Sequence, residues 1–122
     1  MNITKSEQII LNALWNDSPL TVGQIIERTQ ANTDWHENTI KTMLIRLTKK
    51  QAVIRVKDGK RFFYSPAVSK DKILTEESEG FLIRYFDGKM APFFAHFAKN
   101  KNISKHELEK IESILNKLKS ND

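Results

Sequence analysis

The sequence predicts a mainly α-helical protein with one small β-hairpin near the middle of the chain. Apolar residues recur at helical spacing over most of its 122 residues, but the period falls to two between Val53 and Ser65. Asp58-Gly59 separates two alternating runs in that stretch, and Asp-Gly between β-branched and aromatic residues is a strong hairpin signal. The pattern contains no internal repeat.

Two capping boxes mark the first two helices. Thr4 with Glu7 three residues later opens a helix expected over residues 5–16, and Thr21 with Gln24 opens a second, shorter helix. In such a box the hydroxyl and the longer side chain each accept a backbone N–H that the helix start leaves without a partner. Both segments carry one apolar stripe, so each has one face to bury.

A third helix is expected from His36 or Glu37 to about Lys50, directly before the hairpin. Its apolar stripe consists of Ile40, Met43, Leu44 and Leu47. Three helices with one stripe each must bury their stripes together. Trp15 and Trp35 adjoin helix ends and are expected to pack there. Three helices followed at once by a hairpin are the outline of a winged helix-turn-helix, in which the third helix enters the major groove of DNA.

The hairpin is expected to carry repelling charges near its tip. With Asp58 and Gly59 as the two loop residues of a type I′ turn, Lys57 lies opposite Lys60. Like charges directly opposite each other destabilise a sheet, and a bound anion relieves the repulsion. This register therefore predicts an anionic partner at the hairpin.

The second half of the chain is expected to be helical. Ser69 is the expected cap of a long helix to about residue 87, which Gly88 closes, and Ser104 with Glu107 forms a capping box for the last helix. A short aromatic segment lies between them. The last helix repeats apolar residues at the 3-4-3 spacing of a packed helix pair. The predicted dimerisation residues are Leu82, Phe86, Leu108, Ile111, Leu115 and Leu118.

The 3-4-3 stripe of the last helix fits either an internal core or a subunit interface. A subunit interface is favoured, because a DNA-binding unit of about 65 residues leaves the C-terminal helices little to pack against. The expected organisation is a winged-helix DNA-binding domain over residues 1–67 and a helical dimerisation domain over residues 68–122.

Composition and charge narrow the classes of protein. Apolar residues at 39% and charged residues at 29% are typical of a globular domain. The chain shows neither a signal peptide nor an apolar run of about 18 residues, so a cytoplasmic protein without membrane insertion is expected.

The net charge is +5, and residues 38–61 hold 8 basic residues against one acidic residue. Such a stretch attracts a polyanion by counterion release.

Helical geometry divides the residues of this basic stretch between two roles. Asn can pair with adenine, Arg with guanine, and the methyl groups of Thr or of outward-facing Ile45 can touch thymine. The expected base-reading residues are Asn38, Thr39, Thr42 and Arg46. The expected phosphate ligands are Lys41, Lys49 and Lys50 on the helix and Lys57, Lys60 and Arg61 on the hairpin.

Other interpretations of the basic stretch compete with DNA binding. A lysine-rich helix face can be merely solvated, and a winged helix can serve as a protein-interaction module while its C-terminal helices oligomerise. An enzyme is not expected, because no Gly-rich phosphate loop, nucleophile elbow or convergent carboxylate pair occurs. Without cysteine, and with three His lacking ligand spacing, neither a metal site nor a cofactor is expected. DNA binding is favoured because a helix, a tight hairpin and a surplus of positive charge occur in the same stretch of the chain.

The chain resembles the penicillinase-repressor (BlaI/MecI) family, with which the copper repressor CopY is grouped. The resemblance covers nearly the whole chain and is looser over the C-terminal helices. Its most specific part is a Trp followed four residues later by Thr-Ile-Lys-Thr and then by Arg-Leu. The matching segments are the Glu7-to-Trp15 helix, Asp34-Trp35, Thr39-Ile40-Lys41-Thr42, Arg46-Leu47-x-Lys49-Lys50 and Tyr64-Ser65-Pro66.

The resemblance implies a dimeric winged-helix repressor that sits on a dyad operator and blocks transcription of β-lactam resistance or stress genes. In the penicillinase branch a membrane sensor triggers cleavage of the repressor before a Phe, and the matching bond here joins His96 to Phe97. The implied partners are double-stranded operator DNA, a second copy of the chain and a sensor-linked protease. CopY-like members carry Cys-x-Cys motifs, so the lack of cysteine excludes copper sensing by that route.

Overall fold

The computed structural model describes residues 1–121 and confirms a mainly helical fold with one small sheet. The elements in chain order are α1 (Lys5–Asn16), β1 (Leu20–Thr21), α2 (Val22–Gln30), α3 (Glu37–Lys49), β2 (Val53–Asp58), β3 (Arg61–Pro66), α4 (Lys70–Phe86), α5 (Met90–Asn100) and α6 (Lys105–Ser120). The strands form one antiparallel sheet in the order β1-β3-β2. The chain divides into two compact units, Met1–Glu76 and a second that begins at Glu77. The functional division after residue 67 stays a prediction.

Both predicted capping boxes of the first unit are formed. Thr4 Oγ1 accepts from Glu7 N at 3.1 Å, and Glu7 Oε1 accepts from Thr4 N at 2.9 Å. At α2, Thr21 Oγ1 accepts from Gln24 N at 3.3 Å, and Gln24 Oε1 accepts from Thr21 N at 2.9 Å. The helix starts could be located from sequence because a capping box acts over only three residues.

The core of the first unit lies among α1, α2, α3 and the sheet. The predicted stripe of α3 is confirmed, although Met43 is only partly buried. Trp15 and Trp35 pack against this core, and Trp15 Nε1 donates to Val68 O at 2.9 Å. Because the inner face of α3 is locked in the core, its opposite face must lie at the surface. The buried core residues are Ile10, Leu11, Leu14, Leu20, Ile25, Ile40, Leu44, Leu47, Ala52 and Val53.

The hairpin, which forms the wing, has a different register from the predicted one. Asp58 pairs with Arg61 and Lys57 with Phe62, so Gly59 and Lys60 are the loop residues. Gly59 has a φ of +65° at the first loop position, where a type II′ turn requires a positive φ. The predicted type I′ turn would also have forced Asp58 to positive φ, which an L-residue adopts at a cost. The predicted Lys57–Lys60 opposition is therefore wrong, and an acid faces a base instead.

The sequence patterns do not predict β1. In the structure Leu20 pairs with Tyr64, and Thr21 pairs with Phe63. Two residues are too few for a period-two pattern, and Thr21 already carries the signal of the α2 cap. β1 therefore joins the start of α2 to β3 of the wing.

The long helix and the last helix of the second half, α4 and α6, are formed as predicted, and a further helix, α5, lies between them. Ser69 Oγ accepts a backbone N–H in the first turn of α4 at 3.1 Å, and Gly88, with a φ of +76°, follows the end of that helix. The aromatic segment lies within α5. At α6, Ser104 Oγ accepts from Glu107 N at 3.1 Å. Among the described residues, this is the only one of the two hydrogen bonds of the predicted capping box that forms. Within residues 1–121 no helix has the length and apolar character needed to cross a bilayer.

Candidate nucleic-acid interface

The outward face of α3 carries the four predicted base-reading side chains. All four are exposed: Asn38, Thr39, Thr42 and Arg46. Ile45, on the same side of the helix, is 57% exposed despite its aliphatic side chain. A branched apolar group among exposed polar groups suits contact with a thymine methyl in the major groove.

The start of α3 is held by a histidine cap. His36 Nδ1 accepts from Asn38 N at 3.1 Å, and His36 O accepts from Thr39 N at 3.0 Å. One turn later, Thr42 Oγ1 donates to Asn38 O at 2.9 Å, so its oxygen keeps the capacity to accept. These bonds order the first turns of the helix, which are the turns that approach base edges in this type of domain.

Five of the six predicted phosphate ligands are exposed: Lys41, Lys49, Lys57, Lys60 and Arg61. Lys41 Nζ lies 2.8 Å from Glu37 Oε1, one helical turn away. The hydrogen bond from Lys41 lowers the pKa of the Glu37 carboxyl, so this exposed carboxylate is charged at neutral pH. Exposed ion pairs of this kind are weak, and a phosphate can take the place of Glu37.

The observed register adds Arg55 to the candidate cations, a residue that sequence reasoning missed. Arg55 faces Tyr64 across the strands and Lys57 faces Phe62, so all four side chains lie on one face of the wing. Arg55 Cζ lies 4.3 Å from the centroid of the Phe62 ring, within the range of a cation–π contact. Alternation along β2 was the signal that could have placed Arg55 beside Lys57.

An open cleft of about 390 Å³ lies between α3 and the wing. Its lining residues are Val22, Lys41, Leu44, Ile45, Thr48, Lys49, Arg55 and Tyr64. Three of them are cationic, two from α3 and one from β2. The fold therefore directs positive charge from two elements at one groove, although these residues are separated in the sequence.

Lys50 is the one predicted phosphate ligand that is partly buried. Its Nζ donates to Glu7 Oε1 at 2.6 Å and to Asn2 O at 2.9 Å. Glu7 itself is only 1% exposed. The ammonium group is thus held by two groups within the protein, and the assignment of Lys50 as a phosphate ligand stays a prediction. Sequence gave no sign of this pair, because its members are 43 residues apart.

The pair determines how Glu7 contributes to stability at different pH values. Burial by itself raises the pKa of the Glu7 carboxyl, but the hydrogen bonds from Lys50 and Thr4 and the charge of Lys50 outweigh it. The net pKa lies below the ordinary value of 4.5. Stabilisation by ionised Glu7 is therefore present above pH 4.5 and is lost as the pH falls through the lowered pKa.

Replacing Glu7 with glutamine is expected to lower the free energy of unfolding by about 1 to 2 kcal/mol at pH 7, because Lys50 loses a charged acceptor. The difference from wild type should shrink as the pH is lowered from about 5 to about 3. Urea unfolding of both proteins across this range measures it, with Glu37→Gln as a control of near-zero effect. A difference independent of pH would contradict the role of the ionised carboxylate.

None of the predicted dimerisation residues is buried in the single chain. Leu108, Leu115 and Leu118 on α6 are exposed, and the other three are partly buried. Phe86 packs edge-to-face on Phe93, with ring centroids 5.5 Å apart. No residue between 77 and 121 is buried. A row of exposed leucines is more typical of an interaction surface than of solvated helix.

The predicted cleavage bond, between His96 and Phe97, lies within α5. Asn100 Nδ2 donates to His96 O at 2.9 Å, and Lys101 N donates to Phe97 O at 3.0 Å. Proteases cleave exposed, flexible backbone, so cleavage at this bond requires the end of α5 to unwind. Among the described residues 1–121, neither His96 nor any other side chain belongs to a group of three potential metal ligands from His, Cys, Asp and Glu.

Three packed helices and a basic wing beside an exposed, cation-flanked third helix define a winged helix-turn-helix DNA-binding protein. The model of the penicillinase repressor family matches residues 3–117. The chain belongs to the penicillinase repressor family of transcriptional repressors, which confirms the resemblance.

Relatives of this family match along nearly their whole length. The penicillinase repressor of Bacillus licheniformis is 28% identical over 118 residues, which cover 97% of this chain and 92% of that protein. The methicillin resistance regulatory protein MecI of Mammaliicoccus sciuri is 31% identical over 115 residues, or 94% of each chain.

Solved structures share the fold. The Bacillus licheniformis BlaI monomeric form in complex with the blaP half-operator matches with a TM-score of 0.53 and 30% identity, over 58% of this chain and 87% of that one. A MarR family protein from Bacillus stearothermophilus has a TM-score of 0.55 at 20% identity, over 99% of this chain and 76% of that one. The second likeness concerns the fold alone.

Proposed function

We propose that the protein is a sequence-specific transcriptional repressor that binds, as a homodimer, to a dyad operator in the cytoplasm. The observation that carries this proposal is the exposure of base-reading side chains on α3 beside cations from both α3 and the wing. The names of the relatives, penicillinase repressor and methicillin resistance regulatory protein, support β-lactam resistance genes as the regulated class. The structural match to a repressor with its half-operator supports DNA as the ligand.

In this proposal α3 reads sequence and the wing anchors the protein. Asn, Thr and Arg side chains on α3 discriminate base edges, whereas lysines bind phosphate irrespective of sequence. The proposed base-reading residues are Asn38, Thr39, Thr42 and Arg46. The proposed phosphate ligands are Lys41, Lys49, Arg55, Lys57, Lys60 and Arg61.

The exposed apolar residues of the C-terminal helices support a homodimer. Leu115 is 49% and Leu118 61% exposed, and both lie on the 3-4-3 stripe of α6. A second copy of the chain offers the same stripe, so a twofold arrangement buries both. Two recognition helices related by a dyad match the two half-sites of a palindromic operator.

Induction by a sensor-linked protease completes the proposal. A cut between His96 and Phe97 would separate the α6 stripe from the DNA-binding unit. The two subunits would then lose their contact while α3 and the wing of each stay intact. Each separated DNA-binding unit would bind one half-site only weakly.

A mobility-shift titration against the promoter upstream of the protein's own gene tests the proposed function. Binding should be sub-micromolar and should weaken by roughly 10³-fold or more between 50 and 200 mM salt, because several cations displace counterions. A scrambled duplex of equal length is the control and should bind at least roughly 10³-fold more weakly. Absent or salt-independent binding contradicts the proposal, and retention of a protein partner by a chain that ignores DNA favours the interaction module.

A further inference from the structure

An ion pair between a partly exposed lysine and a buried carboxylate joins the first helix to the end of the recognition helix. Lys50 Nζ lies 2.6 Å from Glu7 Oε1, and Thr4 N donates to the same oxygen at 2.9 Å. One carboxylate oxygen therefore serves both the capping box of α1 and the end of α3. Lys50 also donates to Asn2 O at 2.9 Å, which adds the segment before α1 to this contact.

Lys50 occupies the junction between the recognition helix and the wing. It is the C-cap residue of α3, and Gln51 follows with a φ of +64°. Ala52 N donates back to Leu47 O at 3.0 Å, and β2 begins at the next residue. Because so few residues connect the two DNA-facing elements, a displacement of Lys50 changes the angle between them.

We propose that Glu7 and Lys50 form a positioning pair that holds α3 and the wing in the relative geometry that duplex DNA requires. Lys50 acts through Glu7 and does not contact phosphate. This inference rests on the proposed DNA-binding function. It assigns a role in operator affinity to Glu7, an acidic residue in the first turn of α1 and outside the DNA-facing surface.

The environment of the carboxylate explains why the pair acts as a unit. Glu7 is 1% exposed, and within residues 1–121 its Oε2 has no hydrogen-bond partner. Removing Lys50 alone leaves a buried charge without compensation, whereas removing both charges relieves that penalty. The effects of the two substitutions should therefore be strongly non-additive. A lysine that bound phosphate would act independently of Glu7.

The Glu7→Asp variant is the sharpest test, because it keeps every charge and shortens the side chain by one methylene. The carboxylate then retreats from Lys50, and operator binding should weaken about tenfold. Unchanged operator affinity overturns the proposal. Asp17→Glu, which lengthens the exposed partner of Arg28 outside the DNA-facing surface, is the matched control and should change affinity less than about twofold.

Salt titrations separate positioning from phosphate contact. Lys49→Met should reduce the salt slope of operator binding by about one. Lys50→Met should weaken binding by a similar factor but leave the slope at its wild-type value, and Glu7→Gln/Lys50→Met should bind no more weakly than Lys50→Met alone. A slope loss in Lys50→Met equal to that of Lys49→Met overturns the proposal.

Folding and function are separated by two further measurements. If Lys50→Met proves too unstable, Lys50→Arg replaces it. A phosphate ligand would tolerate the retained charge, whereas the planar fork of a guanidinium does not reproduce the contacts of one ammonium group to Glu7 Oε1 and Asn2 O, so binding should weaken. If the wild-type protein binds no DNA, the proposed function fails by itself. Amide hydrogen exchange at Gln51 and Ala52 then tests the pair without DNA, and it should be faster in Glu7→Asp; equal rates overturn the positioning role.

Discussion

Replacing Leu115 with aspartate is expected to convert the proposed dimer to a monomer. Leu115 lies in the middle of the α6 stripe and is 49% exposed in the single chain. In a twofold interface the substitution introduces two carboxylates, each without a charged partner, into an apolar contact. Sedimentation velocity should report half the wild-type mass. Operator affinity should fall by about 10²-fold or more, because the two half-sites are no longer bound by linked recognition helices.

Ile45→Asp is the matched control for this experiment. Ile45 is an exposed aliphatic residue like Leu115, at 57% exposure, but it lies on the outward face of α3, which is proposed to contact DNA. This variant should remain dimeric while DNA binding is lost, because an added carboxylate faces the phosphates. If Leu115→Asp instead keeps the wild-type mass but loses stability, the stripe is internal core and the proposed dimer surface is wrong.

Replacing Arg46 with alanine is expected to weaken operator binding by about 1 to 3 kcal/mol and to relax the base preference at one position. The exposed guanidinium on α3 can make two hydrogen bonds to the O6 and N7 atoms of a guanine, which alanine cannot replace. Binding to the wild-type operator and to each single-base variant of one half-site measures both effects. The loss should be confined to the operator that carries the preferred base.

Lys60→Ala is the control for the reading role of Arg46. Lys60 is a loop residue of the wing and is proposed to bind phosphate, so its removal should weaken binding to all sequences alike and reduce the salt slope by about one. If Arg46→Ala also weakens all operators uniformly, its assignment as a reader is wrong. If Lys60→Ala changes base preference, the wing reads bases as well.

Local signals made much of the fold predictable. The caps at Thr4, Thr21 and Ser69 act within three residues, and the stripe of α3 follows from helical geometry alone. The exposed positions of Asn38 and Arg46 followed from the same geometry. These features depend on neighbours close in sequence, so short-range patterns are sufficient to predict them.

The errors at the wing have a different origin. Asp58-Gly59 correctly indicated a hairpin, but the choice between two registers depends on how β3 packs, with Tyr64 against the core and beside Leu20. The same packing sets which face of β2 meets α3. Arg55 was not assigned to the DNA-binding surface from the sequence, although alternation along β2 could have placed it on the same face as Lys57.

By itself the sequence determined the helices, the existence of the wing, the basic stretch and the family resemblance, because each depends on residue type and short-range spacing. The tertiary structure alone decided the turn register, the strand β1 and which cations have partners within the protein. Lys50 shows the physical reason. Its neighbours Lys49 and Arg46 lie exposed on α3, but a buried carboxylate 43 residues away holds its ammonium group. Whether a lysine is exposed or is paired within the domain depends on long-range packing, which residue spacing does not encode.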